Sequence, residues 1–145
     1  MILLDTTVLA YAVGNQHDLR QPCQDLFAAI GNGEIAATST VEVLQEFTHV
    51  RARRHGRPEA VSAAERFTDL LTPLIMIDEQ DLRRGLAMFQ LHDRLGAFDA
   101  VLAAAAANRE HITGLASADR AFANVTSIRH FAPQDADFLN RIRER

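Results

Sequence analysis

A chain of 145 residues, 48% of them hydrophobic, has the size and apolar content of one packed domain. A formal charge of −4 argues against a strongly cationic nucleic-acid binder, and no apolar run approaches the ~20 residues of a membrane span. All 15 basic residues are Arg, which excludes a Walker-A lysine, a Schiff base and a lysine phosphate clamp. No basic segment precedes the first apolar residues, against a cleaved signal peptide. The lone Cys23 has no partner for an internal disulfide, so a reducing, cytoplasmic setting is expected.

In chain order, Met1–Asp5 reads as a short buried strand that is apolar until the acid at its end. Helical spacing follows through Val8, Leu9 and Ala12 until Gly14-Asn15. Leu19–Ile30 forms a second helical pattern, with Cys23 inside its apolar stripe as a small buried hydrophobe. Glu34–Thr38 is a short strand, and Ser39 opens a long helix to about His55, stopped by Gly56. Val61–Leu71 is helical. Leu74–Ile77 is an unbroken apolar run of the kind buried on both faces of a parallel sheet. Glu79–Leu95 is helical with Leu82, Leu86, Phe89 and Leu95 inward, and Ala97–Asn108 is an alanine-rich helix. Ile112–Ala116 and Val125–Arg129 read as strands around a turn, and Asp135–Ile142 as a short last helix. Strands alternating with helices predict a three-layer α/β/α domain over 1–145, with a mainly parallel sheet of about four to five strands.

Asp5 and Asp119 fall where such a sheet places ligands, beyond the carboxyl ends of its strands, and two further candidate acids stand on helices. Asp5 ends the first strand; a buried carboxylate there is costly unless partnered, and its bland alternative is an N-cap. Asp119 follows the strand at 112–116, where a turn-forming role competes. Asp99 opens the alanine-rich helix, where the helix dipole alone favours an acid. Glu46 lies one turn beyond Glu42 in Ser39-Thr40-Val41-Glu42-Val43-Leu44-Gln45-Glu46-Phe47. Ser39 and Glu42 match a capping box, so Glu46 is the preferred functional acid and Glu42 a lesser candidate. Asp93, six residues before Asp99, is a second lesser candidate whose alternative is a solvated helix face.

The runs Leu3-Leu4-Asp5-Thr6-Thr7-Val8-Leu9, Val43-Leu44-Gln45-Glu46-Phe47, Phe98-Asp99-Ala100-Val101-Leu102-Ala103 and Ser117-Ala118-Asp119-Arg120-Ala121-Phe122 resemble, in order and separation, those of PIN-domain ribonucleases. The resemblance is strongest to the VapC toxins of toxin–antitoxin pairs, and it spans residues 3–122. The chain departs from the family at Thr7, where Asn is frequent, and at Ser117, where Thr is common.

The resemblance implies a metal-dependent endoribonuclease toxin with Asp5, Glu46, Asp99 and Asp119 as catalytic and metal-holding acids. Thr6, Thr7 and Ser117 would support them from behind. It also implies a VapB-like cognate antitoxin covering the cleft and a homodimer of the toxin. The electrostatics agree. Two carboxylates about 4 Å apart repel by roughly 1 kcal/mol in water and roughly 4 kcal/mol at an effective dielectric of 20, so four of them call for protons or a cation. Oxygen donors alone favour Mg²⁺ or Mn²⁺, and the six scattered histidines offer no zinc-type pairing. RNA or antitoxin contact is expected from Arg51, Arg53, Arg54 and Arg57, the densest basic run, although cations at a helix end are also favoured by its dipole.

Rival readings have specific failings. A haloacid-dehalogenase-like phosphatase needs a second Asp where Thr7 stands, and a receiver domain needs a lysine. Asp5-Thr6-Thr7 is not the Gly-rich turn of a dinucleotide-binding fold. The remaining alternative is a non-catalytic PIN-like module that binds RNA or protein.

Overall fold

A computed structural model of the chain describes residues 1–144. The chain order is β1 (Ile2–Leu4), α1 (Thr6–Val13), α2 (Arg20–Gly31), β2 (Ala37–Thr38), α3 (Val41–His55), α4 (Arg57–Leu71), α5 (Glu79–Leu91), α6 (Ala97–Ala107), β3 (Gly114–Ala116), β4 (His130–Phe131) and α7 (Phe138–Arg143), with a 3₁₀ turn at Arg120–Asn124. The four strands make one sheet in the order β2-β1-β3-β4, with every pairing parallel. Helices flank it, as all-parallel sheets require because both faces must be covered.

Local chemistry sets the helix starts. Asp5, Thr40 and Asp78 each place a side-chain oxygen on a first-turn amide, of Thr7, Val43 and Asp81 respectively. Gly56, at φ 84°, joins α3 directly to α4, a conformation that L side chains rarely adopt. Gly85 lets α5 lie against α6: a Cβ there would stand 2.6 Å from Val101 Cα. The α6 alanines 103–106 are all buried. Leu3, Leu4, Leu9, Leu26, Phe47, Leu102, Leu115 and Phe131 fill the core around the sheet. Cys23 is buried among them, and burial pushes its thiol up to about 12, as an inert packing residue requires.

Several expected elements need correction. Leu74–Ile77 is not a strand: only Ile75 pairs, donating its amide to Ser39 O at 2.8 Å, while Met76 is 75% exposed. The segment is an edge bridge rather than a central strand. The last strand is not Val125–Arg129 but His130–Phe131, because the Val125 and Ile128 amides are spent on turn bonds to Phe122 O and Val125 O. The strand expected from Glu34 begins only at Ala37, since the Glu34 and Ile35 amides bond back to Ala29 O at the end of α2. Nor do Leu82, Leu86 and Phe89 point inward. All three are exposed, and α5 buries Asp81, Gly85 and Met88 instead; Leu95, beyond the helix end, is buried as expected.

That inversion has a polar cause. Asp81 is 1% exposed and accepts from Arg109 Nη1 and Nη2 at 3.0 and 2.9 Å, from Asn108 Nδ2 at 2.8 Å and from the Asp78 amide at 3.1 Å. Asn108 and Arg109 sit at the end of α6 and just beyond it, so they fix which side of α5 faces that helix.

Candidate active site

The parallel register puts the ends of β1 and β3 side by side, with Leu4 paired to Ala116. Asp5 and Ser117, the next residues, therefore meet. Ser117 Oγ donates to Asp5 Oδ2 at 2.6 Å, and Thr7 Oγ1 donates to the same oxygen at 2.8 Å. The network closes on the neighbouring loop: the Ala118 amide donates to Thr7 Oγ1 at 2.9 Å and the Asp119 amide to Ser117 Oγ at 3.0 Å. His130 Nε2 lies 2.9 Å from Ser117 O, and burial, the largest influence on that ring, holds its pKa below the usual histidine value. Asp5 is thus both the N-cap of α1 and a buried carboxylate whose Oδ2 takes the hydrogen bonds from Ser117 and Thr7. The N-cap expected as its bland alternative is therefore present, and it is compatible with a functional role.

Glu46 reaches the same region from α3. It is exposed, and Thr6 Oγ1 donates to its Oε2 at 2.6 Å. Asp119 caps the 3₁₀ turn by accepting from the Ala121 amide at 2.8 Å. Asp99 stands in the first turn of α6, half-buried, and carries the clearest electrostatic mark. Its carboxyl is pushed up to about 7, first by burial and then by the negative charges of Asp5, Asp119 and Glu46. Asp5, Asp119 and Glu46 are therefore all electrostatic neighbours of Asp99.

They do not form a ready-made coordination shell: among the described residues, no three His, Cys, Asp or Glu side chains converge closely enough to hold a metal ion. Asp5, Glu46 and Asp119 each have an oxygen engaged by Ser117 and Thr7, by Thr6, and by a backbone amide. The donor set still suits a hard divalent cation, because surplus negative charge carried only on oxygens is relieved by either a proton or such an ion.

The lesser candidates fall outside this group. The capping box at Ser39 does not form. Thr40 is the N-cap of α3, accepting from the Val43 amide at 3.1 Å, and Ser39 Oγ donates to Leu4 O at 2.8 Å. Glu42 lines an apolar cleft with Ile77, Phe98, Val101 and Leu102, and its Oε2 is buried without a hydrogen-bond partner among the described residues. Asp93 is exposed between α5 and α6, and neither acid is among the charges that raise Asp99. The Thr6–Glu46 bond had no sequence signal beyond Thr6 lying beside Asp5.

A model of the PIN domain matches residues 2–127. The chain is 46% identical, over the full length of both proteins, to Ribonuclease VapC7 of Mycobacterium tuberculosis. It is 33% identical to Ribonuclease VapC13 of the same species, over 91% of this chain and 100% of that one. Among solved structures, the M. tuberculosis VapC20 toxin, described as cleaving the sarcin–ricin loop, superposes with a TM-score of 0.71 at 17% identity, covering 87% of this chain and 95% of that chain. A toxin–antitoxin complex from Klebsiella pneumoniae gives 0.66 at 18% identity over 93% of this chain and 99% of that one. The chain belongs to the PIN-domain family, in its VapC branch.

Proposed function

We propose that this protein is an endoribonuclease toxin of the VapC type, the whole chain acting as one PIN domain that hydrolyses RNA phosphodiester bonds. The observation that carries the reading is the raised Asp99 carboxyl in the first turn of α6, whose negative neighbours Asp5, Asp119 and Glu46 come from three other, separate places in the chain. Mg²⁺ or Mn²⁺ is the proposed cofactor. Asp5, Glu46 and Asp99 would hold it directly or through water, and Asp119 would complete the site or hold a second ion. When bound, such an ion activates water and stabilises charge on the phosphate and the leaving oxygen. The protein's own part is orientation. Ser117 and Thr7 fix Asp5, Thr6 fixes Glu46, and the Asp119 amide keeps Ser117 turned towards Asp5.

A VapB-like antitoxin is the proposed partner, in line with the toxin–antitoxin complex among the structural neighbours. Homodimerisation belongs to the same reading; Leu82, Leu86 and Phe89, 46–52% exposed along one side of α5, are an apolar stripe that a second copy would cover. We place the protein in the cytoplasm. Among the described residues no helix is long and apolar enough to cross a membrane.

The test is RNA cleavage with Mg²⁺ or Mn²⁺ by the wild type and by Asp5→Asn. Cleavage that EDTA and the substitution each abolish supports the proposal. Cleavage surviving both contradicts it, and failure to cut any RNA while metal binds normally favours a non-catalytic binding module.

A further inference from the structure

The four arginines around the junction of α3 and α4 are not equivalent. Arg51 is engaged: its Nε and Nη2 donate to Glu59 at 2.8 and 2.9 Å, and its side chain is only 14% exposed. That bidentate pair ties α3 to α4 and neutralises the charge. Arg53 and Arg57 are exposed. Arg54 is also exposed and forms no ion pair among the described residues, but it lines a cleft of about 50 Å³ together with Thr6, Asn15, Phe47, Arg51 and His55.

This cleft adjoins the acids. Thr6 on its wall is the residue that donates to Glu46. Glu46, Val50 and Arg54 follow one another at four-residue steps along one side of α3, so Arg54 lies roughly 12 Å from Glu46 along the helix axis. A polyanion drawn to a cluster of carboxylates needs positive charge close by, and a guanidinium suits phosphate by charge and by its paired donors. Phosphate contacts of this kind set the register of a strand without reading its bases.

We propose that Arg54, with His55 beside it, binds a backbone phosphate of the RNA strand flanking the bond to be cut, and that Arg51 instead serves the fold. The assignment rests on the ribonuclease reading. Arg54 is a positioning residue: it touches the strand away from the reacting phosphate.

The experiment measures binding of a mixed-sequence single-stranded RNA oligonucleotide against salt concentration, in an Asp99→Asn background that blocks cleavage, alongside kcat and KM in the otherwise wild-type protein. Arg54→Ala is expected to weaken binding about tenfold and to reduce the salt slope by about 0.7, the value of one single-strand phosphate contact. KM should rise about tenfold with kcat within about twofold, and Arg54→Lys should restore most of the loss. Arg51→Ala should lower the unfolding temperature and leave the salt slope unchanged. An Arg54→Ala protein with the wild-type slope and KM overturns the proposal, as does an Arg51→Ala protein that loses the same slope. Loss of antitoxin affinity alone in Arg54→Ala overturns it in favour of a protein contact. A wild type that binds RNA but cuts none defeats the ribonuclease reading, while the salt slope still decides the role of Arg54.

Discussion

Ser117 and Asp5, 112 residues apart in sequence, share a 2.6 Å hydrogen bond across the adjacent ends of β3 and β1. Two parallel strands in register bring the residues that follow them together, and here those residues are a buried carboxylate and the hydroxyl that fixes it. Ser117→Ala removes the donor to Asp5 and also the acceptor of the Asp119 amide. The expected result is a folded protein whose kcat/KM for RNA falls about 10- to 100-fold, with Mn²⁺ affinity reduced in the same range. Steady-state kinetics and metal titration check it, and Ser117→Thr should keep most of both.

Asp81 and Arg109 carry stability rather than chemistry. Burial would raise the Asp81 carboxyl, but the hydrogen bonds from Arg109, Asn108 and the Asp78 amide hold it below the ordinary aspartate value. Because the folded pKa is the lower one, this contribution is full above the unfolded value near 3.8 and is lost as pH falls through the folded pKa. Asp81→Ala leaves the partly buried Arg109 guanidinium without its carboxylate, although it still donates to Ala105 O and Met76 O, and is expected to cost up to about 3 kcal/mol in urea unfolding at pH 7.

Asp99 has the opposite sign. Its folded pKa, about 7, exceeds the unfolded value of 3.8, so the metal-free folded state binds the extra proton between these limits. That stabilisation is full below 3.8 and is lost as pH rises through about 7. In metal-free protein, Asp99→Asn should therefore flatten the decline of unfolding temperature between pH 5 and 8. Proton and cation compete for the same carboxylates, so Mn²⁺ should raise the unfolding temperature more at pH 8 than at pH 5.5. Differential scanning fluorimetry across that range reads both effects.

Much of the candidate site was legible because each acid stands at a place with a sequence mark. Asp5 follows an apolar strand, Asp99 opens an alanine-rich helix, Asp119 follows the strand at 112–116, and Glu46 sits in a helical run after β2. The parallel sheet was legible from the alternation of elements. What was not legible depended on distant partners. The stripe Leu82-Leu86-Phe89 and the stripe Asp81-Gly85-Met88 are one residue out of phase, and apolarity favours the first. Only the Arg109 pair and the close Gly85–Val101 approach select the second. The supposed capping box failed for a similar reason: Ser39 bonds to Leu4 O on the neighbouring strand, leaving Thr40 to cap α3.

The proposed function requires Asp5, Glu46, Asp99 and Asp119 to act as one metal-holding group. Titration of metal-free protein with Mn²⁺, read by electron paramagnetic resonance, tests it most directly in the wild type and in Asp5→Asn, Glu46→Gln, Asp99→Asn and Asp119→Asn. Saturable binding that weakens at least about tenfold in Asp5→Asn, Glu46→Gln and Asp99→Asn, with Asp119→Asn losing affinity or the second of two ions, is the predicted result. Wild-type Mn²⁺ affinity retained in folded Asp5→Asn and Asp99→Asn proteins would contradict the account.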